Sequence, residues 1–148
     1  MTEKILVIGA CGQVGTELVE NLQNIYGAAN VVASDVRKSD NPVFQNGSFE
    51  MLNVLDKAQI AEVFGKYKPT IVYHLAALLS ATAEANPKFG WELNMDGTFN
   101  IFDACLEYGV KRIFWPSSIA VFGPTTPAVM TPQSTILEPN TVYGITKL

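Results

Sequence analysis

Lys4-Ile5-Leu6-Val7-Ile8-Gly9-Ala10-Cys11-Gly12-Gln13-Val14-Gly15 is the stretch on which the fold turns. Lys4 to Ile8 is a short apolar run rich in β-branched residues, which predicts a strand buried on both faces. Beyond the glycines the period changes. Val14, Leu18, Leu22 and Ile25 follow at three- and four-residue steps and predict the inward stripe of a helix that Gly27 ends. Val31-Val32-Ala33 then reads as a second buried strand. A strand, a helix and a strand in this order imply a parallel pair joined by a right-handed crossover.

The same alternation continues toward the C-terminus. A strand is expected at Phe49 to Leu52, a helix carrying Ile60, Val63, Phe64 and Tyr67 with Asp56 as its cap, and a strand at Ile71 to Leu75. One long helix from about Pro87 to Tyr108 presents Leu93, Phe99, Ile101, Phe102 and Leu106 and stops at Gly109, before a strand at Arg112 to Trp115. Five strands alternating with helices predict an α/β fold with a doubly wound parallel sheet, the Rossmann arrangement, in one domain spanning residues 1–148. Between Gly123 and Thr141 four prolines and little periodicity predict a long loop of the kind that covers an active site.

Composition narrows the partners. The chain has 148 residues, 48% of them hydrophobic, which is enough for one buried core. Its net charge of −4 and lack of any basic run supply no phosphate-neutralising surface, so neither nucleic acid nor membrane is an expected partner. No apolar run approaches the ~20 residues that cross a bilayer. Cys11, Cys105 and the single His74 have no metal-ligand spacing, so no metal site and no disulfide are expected, and a reducing, cytoplasmic setting fits.

The glycine loop sits where the free N–H groups of a helix start can hold a pyrophosphate. Gly9 would permit the tight turn, Gly12 the approach of backbone to phosphate, and Gly15 the packing of helix on strand, with Gln13 and Val14 supplying amides. Asp35 lies 20 residues beyond Gly15, where a carboxylate can accept hydrogen bonds from an adenosine ribose. Its charge would repel a 2′-phosphate, so NAD is expected over NADP. Arg37 beside it leaves residual NADP use open.

Tyr143 and Lys147 stand four residues apart, on one face of a helical turn. A phenol, with an ordinary pKa near ~10, becomes a usable base when a lysine cation and an oxidised nicotinamide stabilise its phenolate. Ser117 and Ser118 follow the fifth predicted strand, at the end where parallel sheets bind ligands, and a hydroxyl there can orient a substrate oxygen.

Taken together, the glycine loop, a strand-end serine and Tyr-x-x-x-Lys resemble the extended short-chain dehydrogenase/reductases, to which sugar-nucleotide epimerases and dehydratases also belong. In that family the serine stands 25 residues before the tyrosine, which selects Ser118. Leu75-Ala76-Ala77 matches the segment that lines the cofactor, Asn94 an asparagine near the active site, and Asn53 with Val54 the region near the adenine, where many relatives have aspartate at 53. His74 matches a variable strand position and reads as structural.

Three stretches, Gly9 to Leu18, Ala76 to Glu84 and Trp115 to Pro127, resemble the L-threonine 3-dehydrogenase branch of the family. This likeness implies NAD-dependent oxidation of L-threonine at C3 to 2-amino-3-ketobutyrate. It gives Ser118, Tyr143 and Lys147 catalytic parts, has Ser80 contact the substrate together with Ser118 and Tyr143, and has Tyr143 and Lys147 also contact the cofactor. The family continues past the lysine with more sheet strands and a substrate-binding region. The expectation is therefore an amino-terminal part of a longer homodimeric enzyme, truncated before those strands and poorly active alone. A nucleotide-sugar epimerase or dehydratase, and a non-catalytic NAD-binding protein, are the alternative readings.

Overall fold

A computed structural model describes residues 3–148. Five parallel strands form one sheet in the order β3-β2-β1-β4-β5, with β1 at Ile5–Ile8, β2 at Val31–Asp35, β3 at Ser48–Met51, β4 at Ile71–His74 and β5 at Arg112–Phe114. All four residues of β1 are buried, because the strand lies mid-sheet with helices over both faces. Alternation then divides its side chains between two cores. Leu6 and Ile8 join Val32, Val72, Ile60, Val63, Phe64 and Ile101 on one side, while Ile5 and Val7 join Val31, Ala33, Ile71, Val19 and Leu22 on the other.

Helix α1, Gln13–Tyr26, covers the second of these faces, and its phase differs from the expected one. Leu22 is buried and Leu18 packs on the core as expected, Gly15 and Val19 join them, and Val14 and Ile25 are 68% and 72% exposed. Gly15 sets the phase. A Cβ there would lie 2.4 Å from the Gly9 carbonyl oxygen, so the helix touches the strand end at its smallest residue. Gly27, at φ +84°, ends the helix as expected.

Helix α2, Lys57–Tyr67, starts at Asp56, whose carboxylate accepts from the amides of Ala58 and Gln59 at 3.0 and 3.1 Å. The expected long helix from Pro87 to Tyr108 is instead three pieces: α4 at Pro87–Trp91, a π-turn at Glu92–Asp96 and α5 at Gly97–Glu107. The extra residue per turn shifts the inward face, so Thr98, Ile101, Ala104 and Cys105 are buried while Phe99 and Leu106 face outward. A short helix α3, Ser80–Ala85, precedes them and has no counterpart in the predicted elements. Its residues are small and polar, and only Ala83 is buried, so no apolar stripe announces it. From Gly123 to Pro139 the chain forms no helix or strand.

Candidate active site

The strand order reverses its direction of travel between β1 and β4. Ligands bind parallel sheets outside the carboxyl ends of strands at such a point. A cleft of about 340 Å³ opens there. Gly9 and Gly12 after β1, Asp35 and Arg37 at the end of β2, Asn53 and Val54 after β3, and Leu75, Ala76 and Ala77 after β4 all line it. Val36, Leu52, Leu78 and Leu93 line it as well. None of these four was among the expected site residues, because apolar side chains of this type read only as parts of strands and helices.

The glycines divide the work. Gly9 adopts φ +84°, and a Cβ on it would lie 2.6 Å from the Ala76 amide nitrogen, so the turn itself needs glycine. Gly12 has ordinary backbone angles, and a Cβ there would meet nothing closer than the Gly9 carbonyl at 3.4 Å. The fold does not require glycine at 12; a ligand drawn against the backbone does. No side chain caps α1, whose first turn carries Gln13, Val14 and Gly15, so its amide dipoles are available to an anion. This cradle fits a dinucleotide pyrophosphate.

Asp35 is buried at 8% exposure, and its carboxylate accepts from the Cys11 amide at 2.9 Å and the Arg37 amide at 3.3 Å. It thereby ties the glycine loop to β2 at the cleft edge. The Arg37 guanidinium lies 3.9 Å away and is largely in solvent. Burial and the Asp35 charge raise the Cys11 thiol above its ordinary range, which keeps it protonated and unreactive. Asn53 lines the cleft while its Oδ1 accepts from the Leu55 amide at 3.0 Å.

Ser118 follows β5, and the chain returns to pack the turn that carries Tyr143 against the one Ser118 starts, with Lys147 over the Trp115 ring. The Ser118 hydroxyl accepts from the Ala120 amide at 3.2 Å and starts a single 3-10 turn, Ile119–Val121. A short helix α6, Val142–Ile145, carries Tyr143 and packs against that turn. The approach is close because Gly144 has no side chain: a Cβ would lie 2.2 Å from the Ala120 carbonyl oxygen. Thr141 caps α6 by accepting from the Gly144 amide at 2.9 Å, and the Glu84 carboxylate of α3 accepts from the Tyr143 amide at 3.3 Å. Ser80 begins that same helix, one turn before Glu84.

Lys147 is buried, and burial draws its ammonium below the ordinary lysine range. The cation sits over the Trp115 ring, 5.1 Å from its centroid, which favours the charged form. The Ser117 hydroxyl donates to the Lys147 carbonyl at 2.7 Å and pins the end of the turn. His74 is fully buried, and burial, with the Lys147 charge a lesser cause, lowers its pKa to about 3. The ring is neutral. Thr98 gives its hydroxyl proton to the Asn94 carbonyl at 2.6 Å, so His74 Nε2 is the donor toward Thr98 Oγ1 at 3.0 Å.

Among the described residues no group of three or more His, Cys, Asp or Glu side chains is placed to hold a metal, and no helix is long and apolar enough to cross a membrane.

Comparison with known proteins agrees with this geometry. Residues 5–148 match the NAD dependent epimerase/dehydratase family. An uncharacterized epimerase/dehydratase of Staphylococcus saprophyticus is 48% identical over 147 residues, 99% of this chain and 46% of the relative. The crystal structure of L-threonine dehydrogenase from Clostridium difficile superposes with TM-score 0.92 at 47% identity, over 98% of this chain and 46% of that one. UDP-glucose 4-epimerase from Brucella ovis, in complex with NAD, gives TM-score 0.85 at 26% identity, over 98% of this chain and 44% of that one. The chain thus spans about half the length of the relatives it matches. It belongs to the NAD-dependent epimerase/dehydratase family of extended short-chain dehydrogenase/reductases.

Proposed function

We propose that this chain is the nucleotide-binding and base-bearing part of a longer NAD-dependent L-threonine 3-dehydrogenase. The observation that supports it is the 47% identity with a solved L-threonine dehydrogenase across 98% of the chain, in a sequence that carries Ser118, Tyr143 and Lys147 at the family's spacing. Gly9, Gly12, Gly15 and the amides of Gln13 and Val14 would hold the pyrophosphate of NAD. Asp35 would hold the adenosine ribose, and Asn53 and Val54 would lie against the adenine. Leu75, Ala76 and Ala77 would form the wall toward the nicotinamide. When bound, NAD supplies the acceptor for a hydride from C3 of the substrate.

The chain's own residues handle the proton. Tyr143 phenolate takes the hydroxyl proton of L-threonine while Ser118 hydrogen-bonds the same oxygen, and loss of hydride and proton together leaves 2-amino-3-ketobutyrate. The Lys147 ammonium would stabilise the phenolate and hold the nicotinamide ribose, and Ser80 would contact the substrate. The family also contains sugar-nucleotide epimerases that use the same cradle, and the 26% match to an NAD-bound epimerase keeps that reading as the competitor. The reading extends to a cytoplasmic homodimer; the apolar Phe99 and Leu106 exposed on α5 support the self-association.

The test is NADH formation by the longer protein with L-threonine, set against NAD-dependent conversion of UDP-sugars. L-Threonine turnover that Tyr143→Phe removes supports the proposal. Turnover of UDP-sugars alone, or a Tyr143→Phe variant with near-normal rates, overturns it.

A further inference from the structure

The cleft and the catalytic turn are joined by one buried chain of hydrogen bonds. Asn94, on the π-turn, is 2% exposed, and its side chain grips the backbone of Leu78 in the cleft wall. Its Oδ1 accepts from the Leu78 amide at 2.8 Å, and its Nδ2 donates to the Leu78 carbonyl at 3.1 Å. That pair fixes which end of the amide is which. The second Nδ2 proton goes to the Thr146 hydroxyl at 3.2 Å, and Thr146, 1% exposed, passes its own proton to the Tyr143 carbonyl at 2.9 Å. Every donor in the chain has one acceptor, so the direction is unique.

Helix α6 is four residues long and cannot hold its pitch by its own backbone bonds. The Thr141 cap sets where it starts, and Ser117 holds its far end. Glu84 and Ala120 hold it from other sides, and the Thr146 hydroxyl, through Asn94, is a contact that refers it to Leu78 in the cleft wall. We propose that Thr146 is a positioning residue whose hydroxyl, held between the Asn94 amide and the Tyr143 carbonyl, sets the catalytic turn against the nucleotide cleft. The inference rests on the reading of Tyr143 and Lys147 given above. Thr146 contacts neither the cleft nor a reacting atom. It acts through the residues on either side of it, Tyr143 three positions back and Lys147 one position on.

Valine matches threonine in shape but leaves the Asn94 N–H and the Tyr143 carbonyl facing a methyl group, whereas serine keeps the hydroxyl. In the longer protein, Thr146→Val should lower kcat with L-threonine about 10- to 100-fold, since a misplacement of ~1 Å is enough for that. The NAD dissociation constant should rise by clearly less than kcat falls, because Asn94 still grips Leu78 in the cleft wall and only the Lys147 contact shifts. The acid limb of the kcat profile should move to higher pH as the ammonium loses its register with the phenol. Thr146→Ser should recover most of kcat, and Asn94→Ala should weaken NAD binding as well as turnover.

An unchanged kcat in Thr146→Val, an equal loss of NAD binding and turnover, or failure of serine to rescue would each overturn the proposal. If the unvaried protein makes no NADH from L-threonine, the L-threonine reading is what fails. Amide exchange in the 148-residue chain then decides the coupling. Faster exchange at Ile145 and Lys147 with Leu78 still protected in Thr146→Val supports it; unchanged exchange at Ile145 overturns it.

Discussion

Gly12→Ala separates the demands of the fold from those of the ligand. The backbone at Gly12, φ −73° and ψ 167°, is open to alanine, and the new methyl would meet only the Gly9 carbonyl at 3.4 Å. Alanine is a poorer helix N-cap than glycine but also has less freedom to lose on folding, and these opposing terms leave a net change within about 1 kcal/mol. Binding has no such compensation. A methyl on the cleft side holds a pyrophosphate away from the first amides of α1, and each lost charge-assisted hydrogen bond costs about 1.5–3 kcal/mol. One such loss weakens NAD binding about 10- to 100-fold, and two compound it. Calorimetric titration of NAD into the 148-residue chain and its variant, paired with urea unfolding, measures both quantities. An NAD affinity within about twofold of the parent would refute the role given to Gly12, and a stability loss beyond about 2 kcal/mol would refute the claim that the fold does not need it.

Gly144→Ala should behave differently, because its Cβ would lie 2.2 Å from the Ala120 carbonyl oxygen; a cost of about 1–3 kcal/mol in urea unfolding is expected, and an unchanged midpoint would count against the close packing of α6. The Cys11 and Arg37 amides bond different oxygens of Asp35, so Asp35→Asn keeps an acceptor for only one of them and removes the charge; the preference for NAD over NADP should narrow about tenfold or more in paired titrations, and an unchanged ratio would assign the preference elsewhere. His74 is held neutral to about pH 3, while an unfolded chain protonates it near ~6.5, so the unfolded state binds the extra proton in that window. Stability is then complete above the upper value and falls as pH drops, by about 1.4 kcal/mol per pH unit well inside the window. His74→Gln should flatten this limb of a stability profile, and a parallel profile would refute the cause.

The β-strand at Ile5–Ile8, the three glycines, Asp35 and the Asp56 cap were legible because each expresses a local rule: an apolar run, a turn, a residue at fixed distance along one βαβ unit. Helical phase was not legible. Val14, Leu18, Leu22 and Ile25 form a good apolar period, and only the contact of Gly15 with the Gly9 carbonyl, at a distance no Cβ could tolerate, rotates the helix so that Leu22 stays inward, Val19 joins it, and Val14 and Ile25 turn out. The π-turn at Glu92–Asp96 was hidden for a related reason, since one added residue in a helix leaves no mark on its composition.

What the chain by itself determined is the order of the five strands, the glycine loop and the chemistry on offer from Ser118, Tyr143 and Lys147. What only the tertiary structure decided is how those groups are held. Asn94 meets Thr146 across 52 residues, and Gly144 meets Ala120 because two separate turns fold onto the same sheet edge. Hydrogen bonds and close approaches of this kind depend on where the backbone lies in space, and sequence periodicity reports only which face is apolar.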